Sequence, residues 1–305
     1  MASLKDIKRH ITAVRQTQKL TKAMNMVAAA KLRATQGRTE KLKDYADEFD
    51  RLLEEIGRRS GTALADFLKP PEDSNKALVA VISSDRGLCG SFNANLFSVT
   101  DKLVKELRGR GLEVSLYIVG RKAFDYYSRR KGDKYKAHVG LMGDINFRKA
   151  KTIAGEIHEA YSGPDAFSEV HLVYTRFENI NRHPAQSSLF LPLAREEEAG
   201  PQEGPGAKPQ EPSVPSSEAI DYLMEPPPED FLERLVMNAL NNRIFRALLE
   251  SVTSENAARM QAMDNASSSC KDIIESLTMA YNKARQSSVT NELLDIVNGA
   301  EALKG

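Results

Sequence analysis

Near its end the chain repeats small and apolar residues at alternating steps of three and four: Met263, Ala266, Cys270, Ile273, Leu277, Ala280, Ala284, Ser287, Asn291, Leu294 and Val297 or Asn298. That is the heptad of a coiled-coil seam. No proline or glycine falls between Pro228 and Gly299, so one helix is predicted over 229–298, roughly 100 Å long at 1.5 Å per residue. A second long helix is predicted over 1–57. Its stripe runs Ile7, Ile11, Val14, breaks at Gln18, Thr21 and Asn25, and resumes at Ala28 and Leu32. Leu42, Tyr45, Phe49, Leu52 and Ile56 then give a cleaner run. Both seams are small or interrupted, so each buries little apolar area per heptad. The two helices are expected to pair with each other, antiparallel, with a compact domain joining their ends.

The segment 76–194 alternates in period. Short apolar runs at Ala77–Ser83, Val114–Val119 and Val170–Tyr174 predict strands, with a final edge strand over Ser187–Leu193. Helices are predicted over Ala94–Leu107, Lys122–Arg130 and Phe147–Tyr161. Strands separated by helices imply an α/β, Rossmann-like domain with a mostly parallel sheet. Gly57, Gly61, Pro70 and Pro71 mark a connection over 57–75. Residues 195–228 carry eight prolines and eight acids with almost no bulky apolar residue before Ile220, too little apolar area to offset ordering entropy, which predicts an extended or disordered loop. Its closing prolines suit the first turn of the following helix.

The net charge of +1 hides an uneven spread. Residues 1–43 hold eleven Lys or Arg against Asp6 and Glu40 alone. Lys5, Lys8, Arg9, Arg15, Lys19, Lys22, Lys31 and Arg33 fit phosphate contacts to nucleic acid, and they fit an acidic protein collar equally well; composition does not choose. Ser84-Asp85-Arg86-Gly87-Leu88-Cys89-Gly90-Ser91 sits between a strand and a helix, where phosphate loops occur. It has neither GxGxxG nor a Lys followed by Ser or Thr, so a structural turn is expected, with Cys89 as packing. His10, His138, His158, His171 and His183 do not cluster, and Cys89 and Cys270 form no CxxC. No metal, cofactor or catalytic residue is therefore expected, and no apolar run is long enough to span a bilayer.

Several blocks resemble one family, the gamma subunit of F-type ATP synthase. They are Ile7-Lys8-Arg9 with Thr17-Gln18-Lys19-Leu20-Thr21-Lys22-Ala23-Met24 and Met26 to Arg33, then Ser84 to Gly90 with Phe92-Asn93. Near the end come Ser254 to Met260, Ala262 to Ala266, Tyr281 to Gln286, and Thr290-x-Glu292-x-x-Asp295-x-x-x-Gly299-Ala300. The resemblance covers nearly the whole chain apart from about 196–219. It implies a rotor: a slim coil turning inside a ring of three alpha and three beta subunits, with the α/β domain as a foot holding the epsilon subunit and the membrane c-ring. Proton flow would turn the shaft and drive the beta sites through their states, with no active site on this chain, no nucleic acid and no direct membrane span. The expected location is peripheral, on the cytoplasmic face of the bacterial plasma membrane.

By the same resemblance Met24 is a contact between rotor and stator. Gln286, Thr290 and Glu292 form a polar set bonding a beta-subunit loop, and Leu293, Leu294, Ile296 and Val297 lie in an apolar bearing. Asn291 stands where the family often has Gln. Photosynthetic members carry a cysteine pair in mid-chain; no cysteine lies between Cys89 and Cys270 here, so no thiol switch of that kind is expected. Family members begin close to Met1, which makes the basic start part of the shaft and a transit peptide the lesser reading.

Overall fold

In the strand β1 (Lys76–Ile82) alternate residues leave opposite faces of the sheet, and both faces are covered, which is why this segment reads as one continuous apolar run. Leu78, Ala80 and Ile82 enter one core and Ala77, Val79 and Val81 the other. The computed structural model describes residues 4–59, 74–129, 133–163, 165–193 and 228–302. Most of the expected connection over 57–75 lies outside these residues, as does the acidic loop over 195–228 except for Pro228.

The remaining elements follow in order: α1 (Leu4–Arg59) before β1, then α2 (Phe92–Gly109), β2 (Glu113–Val119), α3 (Arg121–Ser128), β3 (Asp133–His138), α4 (Phe147–Ser162), β4 (Glu169–Thr175), β5 (Ala185–Leu191) and α5 (Pro228–Ala302). They form two compact units. One comprises Ala34–Gly87 and Ser91–Ser254, the other Met1–Arg33, Leu88–Gly90 and Glu255–Gly305.

The first of these is the expected α/β fold. Its five-stranded sheet has the order β3-β2-β1-β4-β5, parallel throughout except for β5, which runs antiparallel to β4. Leu96, Leu103 and Leu107 of α2 and Ala123 and Tyr127 of α3 cover one face. Ile153 and Ile157 of α4 cover the other, together with Leu240, Ile244 and Leu248 of α5. Each fully buried leucine or isoleucine among them contributes about 1.5–3 kcal/mol of transfer free energy. Between Ala247 and Ser254 every residue of α5 is buried, so this part of the helix is core and not coil. Its polar residues are tied down: Ser254 Oγ donates to the Thr175 carbonyl at 3.4 Å and Thr253 Oγ1 to the Leu249 carbonyl at 2.8 Å. From α1, Arg38 Nη2 donates to the Ile145 carbonyl at 3.0 Å.

The strand β3 was not expected from the sequence. Asp-Lys-Tyr-Lys-Ala-His carries the charged, lysine-rich composition of a guarded sheet edge, not the apolar run of a central strand. Around the buried side of this edge, Glu156 of α4 gathers three donors. Tyr117 OH donates at 2.6 Å, His138 Nε2 lies at 2.7 Å and Lys136 Nζ at 2.9 Å. Burial favours the neutral carboxyl, but the bonds from Tyr117, Lys136 and His138 outweigh it and hold Glu156 below its ordinary value. Burial and the same carboxylate push the Tyr117 hydroxyl upward. A depressed carboxyl stabilises the fold above its unfolded-state value, and that stability is lost as pH falls through the folded one. Glu156→Gln is therefore expected to lower stability by about 1–2 kcal/mol near neutral pH. It should also flatten the acid limb of stability against pH, which urea unfolding between roughly pH 3 and 7 measures; an unchanged acid limb would assign the slope to other carboxyls.

Candidate interface along the paired helices

The second unit pairs the first part of α1 with the last part of α5. On α1 Leu4, Ile7, Ile11, Val14, Gln18, Thr21, Asn25, Ala28 and Leu32 are turned in and form an unbroken heptad series, with Met24 and Ala29 half-buried beside it. The break expected at Gln18, Thr21 and Asn25 does not exist, because these polar side chains stay in the seam by hydrogen bonding. Asn25 Nδ2 donates to the Met260 carbonyl at 2.9 Å, Gln18 Nε2 to the Ser267 carbonyl at 3.4 Å, and Thr21 Oγ1 to the Gln18 carbonyl at 3.0 Å. Going from Asn25 back to Gln18 and from Met260 on to Ser267 covers seven residues on each helix. The pairing is thus antiparallel and advances by one heptad. Polar groups that reach a partner's backbone at only one register fix that register.

The α5 seam differs by one position from the expected one. Met263, Ser267, Cys270, Ile274, Leu277, Tyr281, Ala284 and Ser288 are the turned-in residues. Ile273, Ala280 and Ser287 are exposed, and Ala266 is only half-buried. Met263, Cys270, Leu277 and Ala284 belong to both phases; the alternate positions are shifted. Tyr281 and Ile274 make the seam bulkier than the alanine-rich series suggested.

Continuing the register brings Leu4, the first described residue of α1, opposite Tyr281. Beyond it α5 has no described partner helix, and from Val289 to Gly299 every residue is exposed. Gln286, Val289, Thr290, Leu293, Ile296 and Val297 recur at three- and four-residue steps and share one side of the helix. The four apolar members are all about half exposed or more, Ile296 at 67%. Leu294 and Glu292 flank the stripe. Thr290 Oγ1 donates to the Gln286 carbonyl at 2.9 Å and Ser288 Oγ to Glu292 Oε1 at 3.2 Å, so within the chain this polar set bonds only locally. Val289 belongs with the stripe and was missed by sequence reasoning; its spacing from Leu293 and Ile296 was the available signal.

Met24 is half-buried on α1. By the same register it lies about 25 residues, roughly 37 Å, from Gln286 along the coil axis, so the two expected contact regions are separate. The eight basic residues from Lys5 to Arg33 named above are all exposed, as are Leu20, Met26 and Val27. Leu88–Gly90 also belongs to this unit: Cys89 is buried, and a Cβ on Gly90 would meet Ala262 Cβ at 3.7 Å.

In the α/β unit the candidate phosphate loop supplies its own anion. Asp85 Oδ1 accepts from the Arg121 and Gly140 amides at 3.0 and 2.8 Å, and its Oδ2 from the Met142 amide at 2.9 Å. The first turn of α3 and the loop after β3 are thereby capped by a carboxylate of this loop, as a structural turn requires. Asn93 Oδ1 accepts from the Ser84 amide at 3.2 Å and completes the turn. Among the described residues no cluster of three or more metal-ligating groups occurs and no helix is long and apolar enough to cross a membrane.

The sequence model of one family, described as ATP synthase, matches residues 3–303. The ATP synthase gamma chain of Syntrophobacter fumaroxidans is 38% identical over 305 residues, covering 100% of both chains. A chain from the central stalk and c-ring of Tetrahymena thermophila mitochondrial ATP synthase superposes with a TM-score of 0.57 at 25% identity, over 81% of this chain and 99% of that one. One from the Euglena gracilis mitochondrial enzyme has the same fold, with a TM-score of 0.67 at 21% identity over 98% and 94%. Full-length identity at this level, joined to the antiparallel pair and the mostly parallel sheet, makes this chain a member of the ATP synthase gamma chain family.

Proposed function

We propose that the paired helices are the shaft of a rotary ATP synthase, carrying torque between a membrane c-ring and a ring of alpha and beta subunits. The observation that carries this reading is the heptad pairing of the chain's two ends, with an exposed basic flank on α1 and an exposed apolar stripe after Tyr281 on α5. Val289, Leu293, Leu294, Ile296 and Val297 form one contiguous exposed apolar patch, the mark of a surface that a partner covers. In this reading Leu294 and Val297 run in an apolar bearing, and Gln286, Thr290 and Glu292 exchange their local bonds for bonds to a beta-subunit loop. Met24 meets the stator lower on the shaft, beside the basic flank and an acidic collar.

The α/β unit is the foot, in contact with the epsilon subunit and the c-ring, on the cytoplasmic face of the membrane. By boundary, the shaft is α1 up to Arg33 paired with α5 from Glu255 onward, while the rest of α1 and α5 belongs with the foot. The work done is mechanical: the chain presents different sides to each beta site in turn and holds no reacting group itself.

Truncation before Gln286 tests the assignment in the assembled complex. ATP-driven proton pumping should fall at least two-fold relative to hydrolysis, because torque reaches the head through fewer contacts. Full pumping by the truncated complex, or ATP hydrolysis by the isolated chain, would overturn the reading.

A further inference from the structure

A polar groove of about 610 Å³ lies in the α/β unit. The turn between β4 and β5 forms one wall with Arg176 and Asn179, and Gln36 and Glu40 of α1 form another. Arg246 and Glu250 of α5 complete it. Glu250 is only 5% exposed. Its Oε1 accepts from Arg246 Nε at 2.9 Å, but its Oε2 is buried with no hydrogen-bond partner. A carboxylate oxygen left in this state loses its hydration without recovering a bond. Nearby acceptors are already engaged: Glu40 Oε1 takes Gln36 Nε2 at 3.0 Å and Glu178 Oε2 takes Arg182 Nε at 2.8 Å. What the groove lacks is a donor for Glu250.

We infer that this groove binds a guanidinium or primary ammonium group, which slips beside Arg246 and donates to Glu250 Oε2 while Glu40 faces its charge from the rim. Glu250 is paired with Arg246 and Glu178 with Arg182, whereas Glu40, bonded to the neutral amide of Gln36, keeps its negative charge at the rim. A planar cation able to donate two parallel bonds matches a carboxylate best. The group arrives either as a basic side chain of a partner subunit or as a small diffusible amine.

The free full-length chain decides whether the site exists, independently of the rotor reading. Agmatine is titrated against the labelled chain, following the backbone amide shifts of residues 176–182. Saturable shifts are expected, weakened about ten-fold by Glu250→Gln and less, about three-fold, by Glu40→Gln, whose exposed position leaves folding untouched. Absence of saturable shifts, or equal affinity in the wild type and in Glu40→Gln and Glu250→Gln, overturns the inference. Repeating the titration on the assembled complex separates the sources. Loss of the agmatine site on assembly assigns it to a partner's side chain and retention to a small amine, either result upholding the cation site.

Discussion

Gly120→Ala is expected to remove about 4 kcal/mol or more of stability, a large share of total stabilities of about 5–15 kcal/mol. Two effects add. The backbone at Gly120 has φ +101, which side chains with a Cβ adopt only with strain. A Cβ there would also stand 2.2 Å from the Ser83 carbonyl oxygen and 2.6 Å from Ser83 Oγ. Neither atom is free to retreat. Ser83 donates from its amide to the Val119 carbonyl at 2.8 Å, and its Oγ accepts the Ala123 amide at 2.9 Å. On the other side the Gly120 amide donates to the His138 carbonyl at 2.8 Å, so moving Gly120 breaks the junction of β2 with β3 instead. Gly140→Ala is the control. Its φ is +83 but nothing lies within 4 Å of its Cβ, so conformational strain alone should cost about 1 kcal/mol. Denaturant unfolding of the two variants separates the terms, and equal losses would show that the clash relaxes at little cost.

The contrast between those glycines shows what a sequence can carry. An apolar run buried on both faces, such as Leu78–Ile82, declares a central strand, and the helices between the strands declare a parallel sheet; both are local patterns. Gly120 and Gly140 look alike in sequence, and only the packing of Ser83 distinguishes them. β3 was hidden because edge strands are selected to look unlike strands. The buried stretch of α5 up to Ser254 was hidden because Ser251, Thr253 and Ser254 are polar, and the partners that satisfy them lie far away in sequence. At the candidate interface Leu293, Leu294, Ile296 and Val297 were picked out through the family resemblance. The role of Asp85 was not, since its three amide partners come from α3 and from the loop after β3.

Ser267→Lys should strip about 2–4 kcal/mol from the paired helices, whereas Ser268→Lys, one residue on, should change stability by less than about 0.5 kcal/mol. Ser267 is 8% exposed and its carbonyl accepts Gln18 Nε2, while Ser268 faces solvent. An ammonium forced into that seam must be desolvated against Thr21 and Gln18, or else carried outward on its stem, prying the helices apart. The expectation turns on the phase of the α5 heptad, which the sequence leaves two-fold ambiguous. Met263, Cys270, Leu277 and Ala284 satisfy either phase, and choosing alanines for the remaining positions follows the ordinary preference for apolar seams. The structure instead turns Ser267 inward, because Gln18 and Asn25 on α1 need backbone carbonyls within reach. Amide hydrogen exchange across residues 11–28 reads the result directly: protection should collapse in Ser267→Lys and persist in Ser268→Lys. If Ala266→Lys proved the more damaging change, the alanine phase would be the true one, and the polar residues of α1 would have to find other partners.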